Sequence, residues 1–311
     1  MRAAGNFLEL IGNTPILRLS KVIPSEVKAQ VWCKCEFANP SGSVKDRIAL
    51  YMIRAAKRKG LKKSQRLLIP TTGNTGIGFS AVGAFMGYGV TIVMPEGMSD
   101  ERKKIMKAYG AEIIFTPGSE SDSERSMDLA RRLAREEPEK YYFFDQWDDN
   151  ANIQAHYETT GKEILDQIGH VDLIVAGIGT GGTLVGTAKR LKEANPRLLV
   201  IAMEPEECPF YAKGKTGSHE IEGIGDGFIP EIVKRHRNLI DGSILVSSRD
   251  AIGFAKRLAR EEGLFVGISS GANVLAAIRL AKEYGLDPDS KVVTFLVDYG
   301  ARYLSTKLIQ A

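Results

Sequence analysis

Short apolar runs alternate with longer amphipathic stretches along most of this chain, and that rhythm permits few folds. Arg66–Ile69, Val90–Met94, Ala111–Phe115, Tyr141–Phe144, Leu173–Ala176, Leu199–Met203 and Val292–Val297 read as strands, with a weaker candidate at Ile244–Val246. Between them the spacing predicts helices: one running to Tyr88, then Asp100–Tyr109, Asp122–Glu136, Asn152–Ile168, Leu184–Ala194, Asp250–Glu262 and Ala272–Tyr284. Strands separated by helices cannot pair as hairpins. They form parallel sheets with helices packed on both faces.

A chain of 311 residues could place these strands in one long sheet or two shorter ones. Two α/β domains fit the length better, each a three-layer unit with a mostly parallel sheet. Glycine-rich turns follow strands in both halves, which places a ligand cleft between them, beyond the carboxyl ends of the strands. The stretch 206–230 is rich in glycine and proline with little periodicity. It is a long loop of the kind that often serves function.

Composition excludes several classes. Lys and Arg number 42 against 38 Asp and Glu, a net charge of +4, too small and too dispersed for nucleic acid or an anionic membrane. The basic stretch 54–63 reads as the solvated end of a helix. Cys33 and Cys35, two apart on a probable strand, read as buried thiols. His156, His170, His219 and His236 are scattered and predict no metal site. No apolar run approaches a membrane span, and residues 1–10 lack the pattern of a secretory leader, so the cytoplasm is the expected compartment.

Four segments carry chemistry. In Asn39-Pro-Ser-Gly-Ser-Val-Lys-Asp-Arg47, Ser43 is a candidate N-cap and Gly60 ends the helix. Lys45 then falls in the first turn, where the helix dipole favours the neutral, nucleophilic amine. Taken alone, a solvated surface lysine is the simpler reading. Pro70-Thr-Thr-Gly-Asn-Thr-Gly76 opens the next helix with hydroxyls, an amide and free N–H groups that suit a carboxylate. Gly177-Ile-Gly-Thr-Gly-Gly-Thr183 is a phosphate cradle by the same physics. It also satisfies the dinucleotide spacing, with Glu204 as the ribose acid, so a nicotinamide-dependent oxidoreductase is an equal reading of that segment. In Gly267-Ile-Ser-Ser-Gly-Ala272 the serines are most simply helix caps.

Together these segments resemble the fold-type II pyridoxal-phosphate enzymes, and within them the cysteine synthase (O-acetylserine sulfhydrylase) and cystathionine β-synthase family. The likeness runs from Ile11-Gly-Asn-Thr-Pro15 to Arg302-Tyr-Leu-Ser-Thr306. It implies that Lys45 carries pyridoxal 5′-phosphate as a Schiff base and serves as the catalytic base. It implies that Gly179, Thr180, Gly181, Gly182 and Thr183 hold the phosphate, that Ser269 faces the pyridine nitrogen, and that Asn74 touches the phenolic oxygen. Thr71, Thr72, Gly73, Asn74, Thr75, Gln146 and Gly223 would contact the substrate, and the run 215–229 would close over the cleft. A smaller, mobile domain over 36–145 and a larger one from 1–35 and 146–311 follow from the same likeness. Two departures stand out: Thr72 where serine is commoner, and Leu296-Val-Asp-Tyr-Gly300 in place of a Pro-Ser turn.

The implied reaction is β-replacement, O-acetyl-L-serine plus sulfide giving L-cysteine plus acetate. The segment Lys215-Thr-Gly-Ser-His-Glu-Ile-Glu-Gly-Ile-Gly225 is more like the cysteine synthases. Glu36-Phe37, Glu96-Gly-Met-Ser99 and Asp145-Gln-Trp147 are more like the enzymes that condense serine with homocysteine. O-phosphoserine is a third donor, for which Lys213 or Lys215 would supply the cation. The family also implies a homodimer and, in some members, a serine acetyltransferase whose tail enters the active site.

Overall fold

A computed structural model describes residues 3–118 and 123–309. In chain order the elements are β1 Ile16–Arg18, β2 Gln30–Cys35, α1 Lys45–Arg58, β3 Arg66–Pro70, α2 Asn74–Met86, β4 Val90–Pro95, α3 Asp100–Ala108, β5 Glu112–Thr116, α4 Ser123–Glu136 and β6 Tyr141–Phe143. Then come α5 Asn150–Ala155, a π-helical turn His156–Gly161, α6 Lys162–Ile168, β7 Leu173–Gly177, α7 Gly182–Ala194, β8 Leu199–Pro205, α8 Phe210–Lys213 and α9 Glu231–Arg235. The last are β9 Gly242–Val246, α10 Ser248–Glu261, α11 Ile268–Glu283 and β10 Lys291–Leu296.

The strands form two sheets, ordered β5-β4-β3-β6 and β1-β2-β10-β7-β8-β9. Every pairing is parallel except β1 with β2. Side chains that alternate along a strand enter different cores, which makes each sheet the middle of three layers. In β7, Leu173 and Val175 face the core shared with α10 and α11, and Ile174 and Ala176 face the core shared with α7. In β3, Leu67 and Ile69 pack toward α1 and α2, and Leu68 packs toward α4.

Several expectations shift. The helix predicted over 152–168 starts at Asn150 and is interrupted by the π turn at His156–Gly161. The helix predicted from Ala272 starts at Ile268, because Gly267 takes the N-cap position. Ser43 is not the N-cap of α1. Val44 occupies that position, and the Ser43 hydroxyl accepts the Lys45 N–H at 3.3 Å instead. The 206–230 loop contains the short helix α8. Asp122, the expected start of α4, lies outside the described residues. Cys33 and Cys35 are free, buried thiols. Among the described residues no helix is long and apolar enough to cross a membrane.

Candidate active site

The carboxyl ends of both sheets meet at one cleft. The turns after β3 and β7 line it, with Lys45, Gln146, Gly223 and Ser269. Of the cofactor and substrate contacts that the resemblance implied, only Gly182 is not in its wall. Gly182 is buried behind the second turn, where a side chain would overlap the Asn152 amide.

Lys45 is the first residue of α1 and half-buried. The segment before it is pinned to the end of β10, with the Val44 N–H donating to the Val297 carbonyl at 3.0 Å. Gly78 of α2 lets the two helices touch, since a Cβ there would sit 3.0 Å from the Lys45 carbonyl. Burial pulls the Lys45 amine below its ordinary value, and the nearby carboxylates of Asp226 and Asp298 oppose that only in part. The result is an amine nearer neutrality than a surface lysine, as Schiff-base chemistry requires.

The turn after β3 is held by side chains. The Thr71 hydroxyl accepts the Gly73 N–H at 3.0 Å. Thr75 Oγ1 donates to Gln146 Oε1 at 2.5 Å, and Gln146 Nε2 donates to the Pro70 carbonyl at 3.2 Å. Asn74 Nδ2 donates to Asp298 Oδ2 at 2.7 Å, where the Tyr303 hydroxyl also donates at 2.6 Å. Asn74 Oδ1 is buried with no partner among the described residues, an atom that awaits a ligand. No side chain caps α2, so its first N–H groups remain for an anion.

The turn after β7 is held by close packing. A side chain at Gly179 would overlap the Gly223 carbonyl, and Gly181 is left-handed at φ +80°. Among the described residues none accepts from the N–H groups of Gly179, Thr180 or Gly181. They stand at the start of the 13-residue α7, an anion site by geometry and by dipole. Thr183 Oγ1 lies 3.2 Å from His156 Nε2, and His156 Nδ1 lies 3.0 Å from Thr160 Oγ1. Burial, with the Arg47 charge, pulls His156 down to about 3, so it is a neutral partner for that hydroxyl.

Asn152 joins the two turns. Its Nδ2 donates to the Gln146 carbonyl at 2.8 Å and to Thr180 Oγ1 at 3.0 Å. Sequence reasoning missed it, together with Asp226 and Arg102 in the cleft wall and Asn273, whose Oδ1 receives the Gly177 N–H at 2.9 Å. Asp298 had a signal, as it sits in the departure at residues 297–299.

Glu204 does not support the dinucleotide reading. Its carboxylate is buried and accepts the N–H groups of Tyr211 and Ala212 at 2.7 and 2.9 Å, capping α8. Lys213 and Lys215 are exposed, and neither is in the cleft wall. Among the described residues no cluster could hold a metal ion.

Comparison with known proteins agrees with this geometry. The family described as "Pyridoxal-phosphate dependent enzyme" matches residues 7–298. A cysteine synthase of Staphylococcus aureus is 44% identical over 308 residues, 97% of this chain and 96% of its own. The solved cysteine synthase of Entamoeba histolytica superposes with a TM-score of 0.92 at 37% identity, covering 100% of this chain and 92% of that one. An O-acetylserine-dependent cystathionine β-synthase from Helicobacter pylori gives 0.91 at 36%, covering 99% of this chain and 100% of that one. A match over nearly the whole length, with a lysine, an anion cradle and a carboxylate-type turn in one cleft, means that this chain belongs to the pyridoxal-phosphate-dependent enzymes.

Proposed function

We propose that this chain catalyses β-replacement on a serine-derived amino acid: O-acetyl-L-serine and sulfide to L-cysteine and acetate. The observation that carries the reading is Lys45, its charge disfavoured by burial, set between an anion cradle and a turn suited to a carboxylate. The residues fit pyridoxal phosphate. Open N–H groups at Gly179–Gly181 and the hydroxyls of Thr180 and Thr183 suit its phosphate, with Gly182 keeping α7 close. Asn74 Oδ1 lacks a partner, and Ser269 presents a hydroxyl rather than a carboxylate. Bound pyridoxal phosphate supplies an electron sink at the substrate α-carbon.

The chain's own residues do the rest. Thr71, Thr72, Gly73, Asn74, Thr75, Gln146 and Gly223 bind and orient the amino acid by its carboxylate. Lys45 holds the cofactor, then takes the proton from Cα as general base. The bond from Cβ to the acetate oxygen breaks, and a bond from Cβ to sulfur forms. Lys45 returns a proton to Cα. In this reading 36–145 is the smaller domain, a division supported by all four strands of the smaller sheet lying inside it, and it moves against 1–35 with 146–311. The active form is a homodimer in the cytoplasm.

The likeness to the Helicobacter pylori enzyme supports a second acceptor, a thiol amino acid in place of sulfide. One experiment tests both. The purified protein is scanned in the visible range, then with O-acetylserine, then with sulfide or homocysteine. A band that shifts with the donor and returns with sulfide is expected. Return only with homocysteine would favour the second acceptor. A protein that stays colourless after incubation with pyridoxal phosphate would sink the reading.

A further inference from the structure

We propose that Arg102 is a further substrate-binding residue, and that Glu222 occupies its guanidinium as an internal stand-in for the substrate carboxylate. The proposal rests on the β-replacement reading for the identity of the carboxylate's owner, not for the existence of the site.

Arg102 lies in the first turn of α3. It is 2% exposed, yet it lines the cleft. It lies directly under the carboxylate-type turn: a Cβ on Gly73 would come within 2.5 Å of its Cδ and 2.6 Å of its Nε. The Tyr303 ring supports the guanidinium plane from one side at 4.9 Å. Its Nε has no acceptor among the described residues. A buried guanidinium with an unpaired N–H is suited to take a carboxylate through two parallel bonds once its present partner leaves. The open N–H groups at the start of α2 are close by, so the positive ends of two devices converge on one place.

Glu222 now supplies the counter-charge. It forms an ion pair with Arg102 Nη1 and comes from the 214–230 segment. The other acids in and around the cleft are otherwise engaged. Asp298 is held by Asn74 and Tyr303, and Asp226 accepts Trp147 Nε1 at 2.8 Å. Glu222 is therefore the acid that can leave. An incoming α-carboxylate would replace it on Arg102 and release the 222–225 segment to settle over the bound substrate.

This exchange predicts opposite signs for the two halves of one ion pair. Calorimetric titration of the holoenzyme with acetate, which needs no Schiff base, and with L-alanine measures it. Glu222→Gln should tighten both ligands severalfold, because the competitor is gone. Arg102→Met should weaken both by about tenfold or more, with Arg102→Lys between. If Glu222→Gln weakens binding or leaves it unchanged, the pair is only a latch and the proposal falls. If Arg102→Met does not fold, Glu222→Gln alone decides. Acetate binding is independent of catalysis, so a failed β-replacement assay would leave this result standing.

Discussion

The turns after β3 and β7 have the same plan, a strand, a small-residue turn and a 13-residue helix whose N-terminus faces the cleft. They are built by different means. The first is held in shape by replaceable polar side chains: Thr71, Asn74 and Thr75, tied to Asp298 and Gln146. The second is shaped by the absence of side chains, with Gly179 against the Gly223 carbonyl and Gly182 against Asn152. A turn held by side chains can be adjusted by substitution. A turn held by backbone contact keeps its shape or loses it. The first suits a group that varies between substrates, the second a group that does not.

Lys45→Ala is the sharpest cut, because it removes the group both turns serve. Turnover should fall by about a thousandfold or more, as expected when a general base is lost. The visible band should disappear while inorganic phosphate still binds. Loss of phosphate binding would show that the second turn depends on Lys45 and is not self-supporting.

Gly179→Val tests the packed turn. The overlap with Gly223 should cost up to about 3 kcal/mol, a loss of roughly a hundredfold in affinity. Titration of the apoprotein with pyridoxal phosphate reads it. A small effect would mean that the turn tolerates side chains after all.

A pH scan probes the tie between the two regions. Arg47 of α1 reaches Glu163 of α6 at 2.6 Å and Glu36 at 2.7 Å, and Lys34 of β2 reaches Glu163 at 2.8 Å. Burial would raise Glu163, but the bonds and charge of Arg47, helped by Lys34, prevail and pull it down to about 2. A carboxyl held below its unfolded value of about 4.3 stabilises the fold fully above that pH. The contribution is lost as the pH falls from there toward 2, at most on the order of 3 kcal/mol. Thermal melts of the wild type should show this loss, and Glu163→Gln should be less stable near neutrality with a flatter acid limb.

Thr75→Val should be the mildest. It strands the buried Gln146 Oε1 at a cost of about 1–2 kcal/mol. That should appear as roughly a tenfold rise in KM for the amino-acid donor, with pyridoxal phosphate affinity unchanged. An equal loss in both would show that Asn152 couples the turns more tightly than the comparison allows.

Much of the scaffold was legible because burial on both faces of a parallel strand writes continuous apolar runs. Val90–Met94 was expected and β4 spans Val90–Pro95. Both turns were legible because glycines and helix starts act locally, whereas Lys45 stood out only through the resemblance, since taken alone it read as a surface lysine. What escaped depends on partners far along the chain. Ser269 falls inside α11 and not before it, because Gly271 lets that helix begin early against the backbone of Ala251 in α10. Arg102 and Glu222 come from elements far apart in the chain, and although Glu222 stood in the singled-out segment 215–225, nothing local marked the pair. Asp298 was noticed only as an oddity, although its carboxylate fixes Asn74. The acid read as a ribose ligand, Glu204, caps a short helix that the loop's composition concealed.

The position of β10 has a consequence for synthesis. It is the last strand along the described chain, yet it lies between β2 and β7 in the larger sheet. Until it emerges from the ribosome, β2 and β7 present two unpaired parallel edges, and the Val297 carbonyl that anchors the start of α1 does not exist. The nascent chain therefore carries a nearly finished smaller sheet beside a split larger one, an exposed and association-prone arrangement. Cleft and large sheet are completed together, so a chain truncated before residue 291 would lose both at once rather than fold as a smaller, inactive protein.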